Sequence, residues 1–144
     1  MRVLIVEDVF LQEMLEVLNS CGVTQIASTD NYKRSVRILD DKKFDIALID
    51  IFIKEEQTGV SIGRYIREKF DFPFIYVSSN LDRNVLKIVQ DTHPDALIAK
   101  PIDKQTLICN IGLVVHNKLA NPDNVSILDD RIFIKKMGFT INYS

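Results

Sequence analysis

Apolar residues in this chain fall into two patterns that take turns along it. Arg2-Val3-Leu4-Ile5-Val6, Ile46-Ala47-Leu48-Ile49-Asp50 and Phe74-Ile75-Tyr76-Val77-Ser78 are short, nearly continuous apolar runs. They read as strands, the latter two buried on both faces of a parallel sheet. Thr24 to Ser28 and Ala96 to Ala99 are shorter runs of the same kind. Between the runs, apolar residues recur at helical spacing. Leu11, Met14, Leu15, Leu18 and Cys21 predict a helix from about Val9 to Cys21, closed by Gly22 as C-cap glycine. Tyr32, Val36 and Leu39 follow Thr29-Asp30, whose oxygens can cap a helix, and Asp41-Lys42-Lys43 forms the next polar turn. Gly59 opens a helix carrying Ile62, Ile66 and Phe70. Asn80 or Asp82 caps one with Val85, Ile88 and Val89 on its stripe and Leu81 and Leu86 beside it, ending before His93-Pro94. Asp103 caps a long one with Leu107, Ile108, Ile111, Val115 and Leu119. Five strand-then-helix repeats predict an α/β fold, a doubly wound (βα)5 parallel sheet with helices on both faces and right-handed crossovers.

Two segments break the alternation. From Ile51 to Thr58 periodicity is lost around Lys54-Glu55-Glu56-Gln57, a charged loop that is a lid candidate. Beyond Ala120, Asn121-Pro122-Asp123-Asn124 reads as a linker. Two alternating runs, Arg131 to Lys136 and Phe139 to Tyr143, then flank Met137-Gly138 in the manner of a β-hairpin. The expected division is therefore 1–120 as one domain and 121–144 as linker and hairpin-like segment. An isolated hairpin is marginal in water, so this one packs on something or belongs to a domain whose remainder lies outside this chain.

At 144 residues and 47% hydrophobic content the chain can build a real core. A net charge of −2 supplies no global basic field for nucleic acid or anionic membrane. Cys21 and Cys109 sit among apolar residues and read as buried free thiols, which fits a reducing, cytoplasmic setting. No apolar run approaches the ~20 residues of a membrane span. His93 and His116 read as surface residues.

The chemistry gathers at strand ends. The first strand runs into Glu7-Asp8 and the central one ends in Asp50, which puts three carboxylates at one sheet edge. That edge, beyond the strand C-termini, is where open α/β sheets bind ligands. Like charges so close stay ionised only around a cation, and oxygen ligands suit a hard divalent metal. Taken singly, each has a plainer reading: Asp8 and Asp50 as caps, Glu7 as solvated, Ser78 as a helix cap, Lys100 as a surface lysine.

With Glu7-Asp8, Asp50, Ser78 and Lys100 closing successive strands, residues 1 to about 120 resemble the receiver domain of bacterial two-component response regulators, a flavodoxin-like fold. The resemblance implies that Asp50 accepts a phosphoryl group from a sensor histidine kinase or phosphotransfer protein. It implies Mg2+ held by Asp8, Asp50 and the Phe52 carbonyl with Glu7 assisting, Lys100 as phosphate contact, and Ser78 as switch hydroxyl. It further implies a cis Lys100-Pro101 bond, dimerisation of the active form, and no enzymatic turnover beyond Mg-dependent self-phosphorylation and autodephosphorylation. Departures are Leu97, where such domains often carry an aromatic three residues before the lysine, and Ser79-Asn80 in place of small apolar residues. Leu81 and Leu86 would suit a dimer face.

The tail, Arg131-Ile132-Phe133-Ile134-Lys135-Lys136 and its glycine turn, resembles the opening strands of the LytTR DNA-binding domain over about 18 residues. DNA binding would then come only through the completed output domain. Two other readings compete. A phosphatase-like enzyme would need a second acid/base aspartate where Phe52 stands. A phosphorylation-independent pseudo-receiver serving as an interaction module draws support from Leu97.

Overall fold

The computed structural model describes residues 1–53 and 58–119, with side chains through residue 117. The elements alternate as expected: β1 (Arg2–Val6), α1 (Leu11–Ser20), β2 (Gln25–Thr29), α2 (Tyr32–Asp41), β3 (Ile46–Asp50), α3 (Gly59–Lys69), β4 (Phe74–Ser78), α4 (Arg83–Gln90), β5 (Ala96–Ala99) and α5 (Lys104–Leu119). All strand pairs are parallel, in the order β2-β1-β3-β4-β5. The order reverses between β1 and β3, which is the switch point where such sheets leave a crevice at the strand C-termini.

Alternation along each strand divides the core in two. Val3, Ile5, Ile46, Leu48, Ile75, Val77 and Ile98 face one side, where α1 and α5 add Met14, Leu18, Leu107 and Ile111. Leu4, Val6, Ala47, Ile49, Phe74 and Tyr76 face the other, covered by Leu39, Ile62, Ile66, Val85 and Val89 of α2, α3 and α4. Burial on both faces is why β1, β3 and β4 are apolar runs, and it fixes register, because a one-residue slip would exchange the two sides. Edge strand β2 is only half covered.

Local signals set the element ends. Gly22, at φ 85°, follows α1 in a Schellman arrangement: its N–H donates to Asn19 O and that of Val23 to Leu18 O, at 3.0 and 3.1 Å. Asp82 accepts from the Val85 N–H at 2.9 Å, and Asp103 from the Thr106 N–H at 2.9 Å, as expected of the caps of α4 and α5.

Several expectations are corrected. Asn31, not Thr29-Asp30, caps α2, accepting from the Arg34 N–H at 2.9 Å; β2 extends to Thr29 and pushes the start of the helix onward. The first helix begins at Leu11, and Val9 is exposed before it. On α4, Val85 and Val89 are buried but Ile88, expected on the same stripe, is exposed, as is Leu86, which was expected beside the stripe. An eight-residue helix turns only a narrow stripe inward, and these two lie on opposite flanks, roughly 200° apart around the axis. Cys109 is exposed, since two positions from buried Leu107 is the far side of α5; Cys21 is buried, and both are free. His116 is half-buried, while His93 is exposed. The lid loop at 54–57, the division after residue 120, the tail hairpin and the side chain of Leu119 lie outside the described residues. Among the described residues no helix is long and apolar enough to cross a membrane.

Two glycines permit close packing of α3. A Cβ at Gly63 would lie 2.0 Å from the Tyr76 hydroxyl, and one at Gly59 only 1.9 Å from the Asp50 carbonyl oxygen. Tyr76 is fully buried, and its O–H donates to Thr92 Oγ1 at 2.6 Å while the Thr92 hydroxyl donates to Val89 O at 2.9 Å. Burial, more than any neighbour, pushes the Tyr76 pKa up from 10.0 to about 12. The native state therefore holds this proton more tightly than the unfolded chain, and the associated stability is whole below pH 10 and lost as pH rises toward 12. Tyr76→Phe is expected to cost about 1 kcal/mol at neutral pH through the lost hydrogen bond. Urea unfolding of both proteins in parallel should show the parent losing about 1.4 kcal/mol per pH unit above pH 10 relative to the variant, so that the gap closes and then reverses. A gap that stays constant to pH 11 would contradict this reading.

Candidate functional site

Register places the carboxylates. Val6 pairs with Ile49, so the residues that follow, Glu7 and Asp50, stand level at the C-terminal edge of adjacent strands, with Asp8 one step on. Glu7, Asp8 and Asp50 each offer an oxygen within 4.8 Å of the other two. On the far side, Ser78 pairs with Ala99, and the Lys100 N–H donates to Ser78 O at 2.9 Å, which directs the lysine back over the strand ends. Its ammonium lies 2.7 Å from Glu7 Oε2 and 3.1 Å from Asp50 Oδ2. The Lys100-Pro101 bond is cis, as expected.

Lys100 and its two carboxylate partners are largely removed from solvent. The Lys100 side chain is 6% exposed and that of Glu7 fully buried. Burial pushes the Glu7 carboxyl above the ordinary glutamate range; the ion pair with Lys100 opposes this, and the Asp50 charge reinforces it. Glu7 Oε1 accepts from the Asp8 N–H at 3.2 Å and the Phe10 N–H at 3.4 Å, holding the turn into α1. Asp50 Oδ1 accepts from the Phe52 N–H at 3.0 Å, so the chain bends directly after the strand and keeps residue 52 at the site. The Gly59 N–H donates to Ile51 O at 2.9 Å and seats α3 against the Asp50 backbone.

A cleft of about 190 Å³ opens over these groups, lined by Asp8, Val9, Phe10, Asp50, Phe52, Ser79 and Lys100. Of the residues singled out in the sequence, Glu7, Asp8, Asp50 and Lys100 come together directly, and Phe52 lines the cleft. Ser78 sits behind it, fully buried. Its hydroxyl donates to Asn80 O at 2.9 Å and accepts from the Asn80 N–H at 3.1 Å, a local turn, and Ser79 is the serine that reaches the cleft. Leu97 is half-buried and packs with Tyr76, its partner on β4. Phe10 was not foreseen. An aromatic between an acidic pair and a helix carries no motif of its own, yet its ring centroid lies 4.5 Å from the Lys100 ammonium.

Comparison with known proteins agrees with this arrangement. The family model of the response regulator receiver domain matches residues 3–111. The chain belongs to this family. The receiver domain of a modulated diguanylate cyclase from Desulfovibrio desulfuricans G20 is 30% identical, with a TM-score of 0.75 over 81% of this chain and 94% of that one. The receiver domain of a sensor histidine kinase from Pseudomonas aeruginosa PAO1, described with a magnesium ion coordinated in its active-site cleft, shares the fold at 21% identity and a TM-score of 0.71, over 79% of this chain and 96% of that one. The transcriptional regulatory protein YdfI of Bacillus subtilis (strain 168) is 26% identical over 133 residues, 90% of this chain; the chain spans 62% of that protein's length.

Receiver domains bind Mg2+ at an acidic site, and the residues present fit such an ion. They offer hard carboxylate oxygens, and Glu7 Oε2 and Asp8 Oδ2 are shut away from solvent where bulk water cannot screen their charge. Lys100 compensates Glu7 and Asp50. Lys100→Met removes that compensation and is expected to cost about 3 kcal/mol at pH 7. It also removes what holds the Glu7 pKa down, so the native state gains a proton more readily than the unfolded chain. That contribution favours the native state in acid and is lost as pH rises. The deficit should therefore shrink as pH falls toward the ordinary glutamate value of 4.5, measured by urea unfolding without metal. A deficit independent of pH would assign the loss to packing alone.

Proposed function

We propose that this receiver accepts a phosphoryl group on Asp50 from the phosphohistidine of a sensor kinase or phosphotransfer protein, and that the event switches an attached output region. The observation that carries the reading is the Asp50 carboxylate itself, 6% exposed at the floor of an open cleft, with an ammonium at 3.1 Å and an oxygen of each of two further carboxylates within 4.8 Å. In the step proposed, an Asp50 carboxylate oxygen bonds to phosphorus as the phosphorus–nitrogen bond breaks, and the electron pair returns to the imidazole of the donor. Asp8, Asp50 and the Phe52 carbonyl, with Glu7 assisting, would hold Mg2+, which would supply positive charge against the repulsion between phosphoryl oxygens and the carboxylate. Lys100 then exchanges its ion pair with Asp50 for a phosphoryl oxygen.

Ser78 donates to another phosphoryl oxygen by giving up its bond to Asn80 O. Asn80 Oδ1 accepts from the Asp82 N–H at 3.2 Å, and Asp82 caps α4, so the change reaches that helix through two short polar links. Such a local charge event with a remote surface readout is the logic of a phosphorylation switch. The domain boundary belongs near residue 120. The output is proposed to be of the LytTR DNA-binding type, on the pattern of residues 131–143, with support from the likeness to a transcriptional regulatory protein. Activation by homodimerisation, with exposed Leu86 in the contact, completes the proposal.

Incubation with a small acyl phosphate and magnesium, read by intact-mass spectrometry, should add one phosphoryl group to the parent protein and none to Asp50→Asn. A folded parent protein that gains nothing would instead favour the pseudo-receiver, in which Leu97 marks a face kept for binding alone.

A further inference from the structure

We propose that Phe10 is a positioning residue for Lys100, an aromatic wall that holds the ammonium at the phosphoryl cleft; this rests on the phosphoacceptor reading above. The Phe10 backbone is pinned from two directions: its N–H donates to Glu7 Oε1 at 3.4 Å, and its carbonyl accepts from the Met14 N–H at 3.2 Å in the first turn of α1. That places its ring on the wall of the cleft, with its centroid 4.5 Å from Lys100 Nζ. The same ammonium is 2.7 Å from Glu7 Oε2 and 3.1 Å from Asp50 Oδ2. Two sides of the cation thus meet carboxylates and a third meets a π face.

The chemistry of that third contact differs from the other two. An aromatic face attracts a cation through its quadrupole and excludes water, without carrying a charge or a lone pair that would compete with an incoming phosphate. A carboxylate there would neutralise the lysine, and an aliphatic side chain would exclude water without attraction. Once Asp50 carries the phosphoryl group as an acyl phosphate, Lys100 has left its carboxylate for a phosphoryl oxygen, and the ring is a neutral contact that holds the lysine at the cleft in both states. The aromatic is accordingly expected to act on the rate of Asp50 phosphorylation through the place of Lys100, and not by touching the phosphoryl group.

The test compares Phe10→Leu and Phe10→Tyr with the parent protein. Both variants keep an apolar body at a half-buried position, and circular dichroism checks their fold. With a small acyl phosphate and magnesium, Phe10→Leu should be phosphorylated at least threefold more slowly than both the parent and Phe10→Tyr, and by up to about thirtyfold, as a cation–π contact allows. A smaller gap from either overturns the proposal. NMR of the unphosphorylated proteins supplies a signature that a merely structural role would not produce. The Lys100 ε-methylene protons should be shifted upfield by the ring in the parent and in Phe10→Tyr, and return toward ordinary lysine values in Phe10→Leu. An unshifted lysine in the parent also overturns it. A parent that takes up no phosphoryl group sinks the functional reading together with the kinetic half of this one, whereas a labelled parent with an unaffected Phe10→Leu sinks this proposal alone.

Discussion

A lysine ammonium wedged between two buried carboxylates is the constraint on which the working end of this receiver depends. Glu7, Asp8 and Asp50 are drawn together by the register of β1 against β3, and the same burial that drives strand pairing removes the water that would screen their charges. Something positive has to stand among them. Lys100 does so, and its arrival depends on β5 pairing with β4 and on the Lys100 N–H reaching Ser78 O. The apolar sheet and the polar site are therefore not separable designs. Strands β1, β3 and β5 contribute apolar residues to the two cores and, at or just beyond their C-terminal ends, charged residues to the site.

This coupling explains what could be read from the chain. β1, β3 and β4 have the bounds expected of them, because a strand buried on both faces leaves a continuous apolar run that ends abruptly where the edge becomes polar; edge strand β5, only partly buried, also keeps its expected bounds. The carboxylates and Lys100 were legible for the same reason: charged residues directly after such runs have few places to go. Helix starts were less legible. Thr29-Asp30 and Asn31 are all capable caps, and only the length of β2 decides among them.

Exposure along the helices was harder still. Ile88 and Cys109 satisfy apolar composition but lie off the narrow stripe that meets the sheet, and their positions follow from helix rotation, which composition does not encode. Phe10 was invisible for another reason. Its contact with Lys100 joins residues ninety positions apart through the turn after β1, and neither neighbour in sequence signals it. Ser78 was identified as a hydroxyl at the right strand end, but its engagement with Asn80 depends on the turn conformation and not on residue type.

The close seat of Gly59 against β3 has a consequence for how this domain tolerates change. Its N–H reaches Ile51 O, so the segment that leaves the central strand and the helix that follows are joined at the neck by a hydrogen bond, with no room for even a methyl group beside the Asp50 carbonyl. A loop whose two ends are clamped together can lengthen or shorten at a cost that grows only with the logarithm of its size. Insertions between residues 52 and 58 should thus be absorbed without displacing Asp50. Within the receiver, the place of Asp50 is set by its own strand and by the helix seated against it.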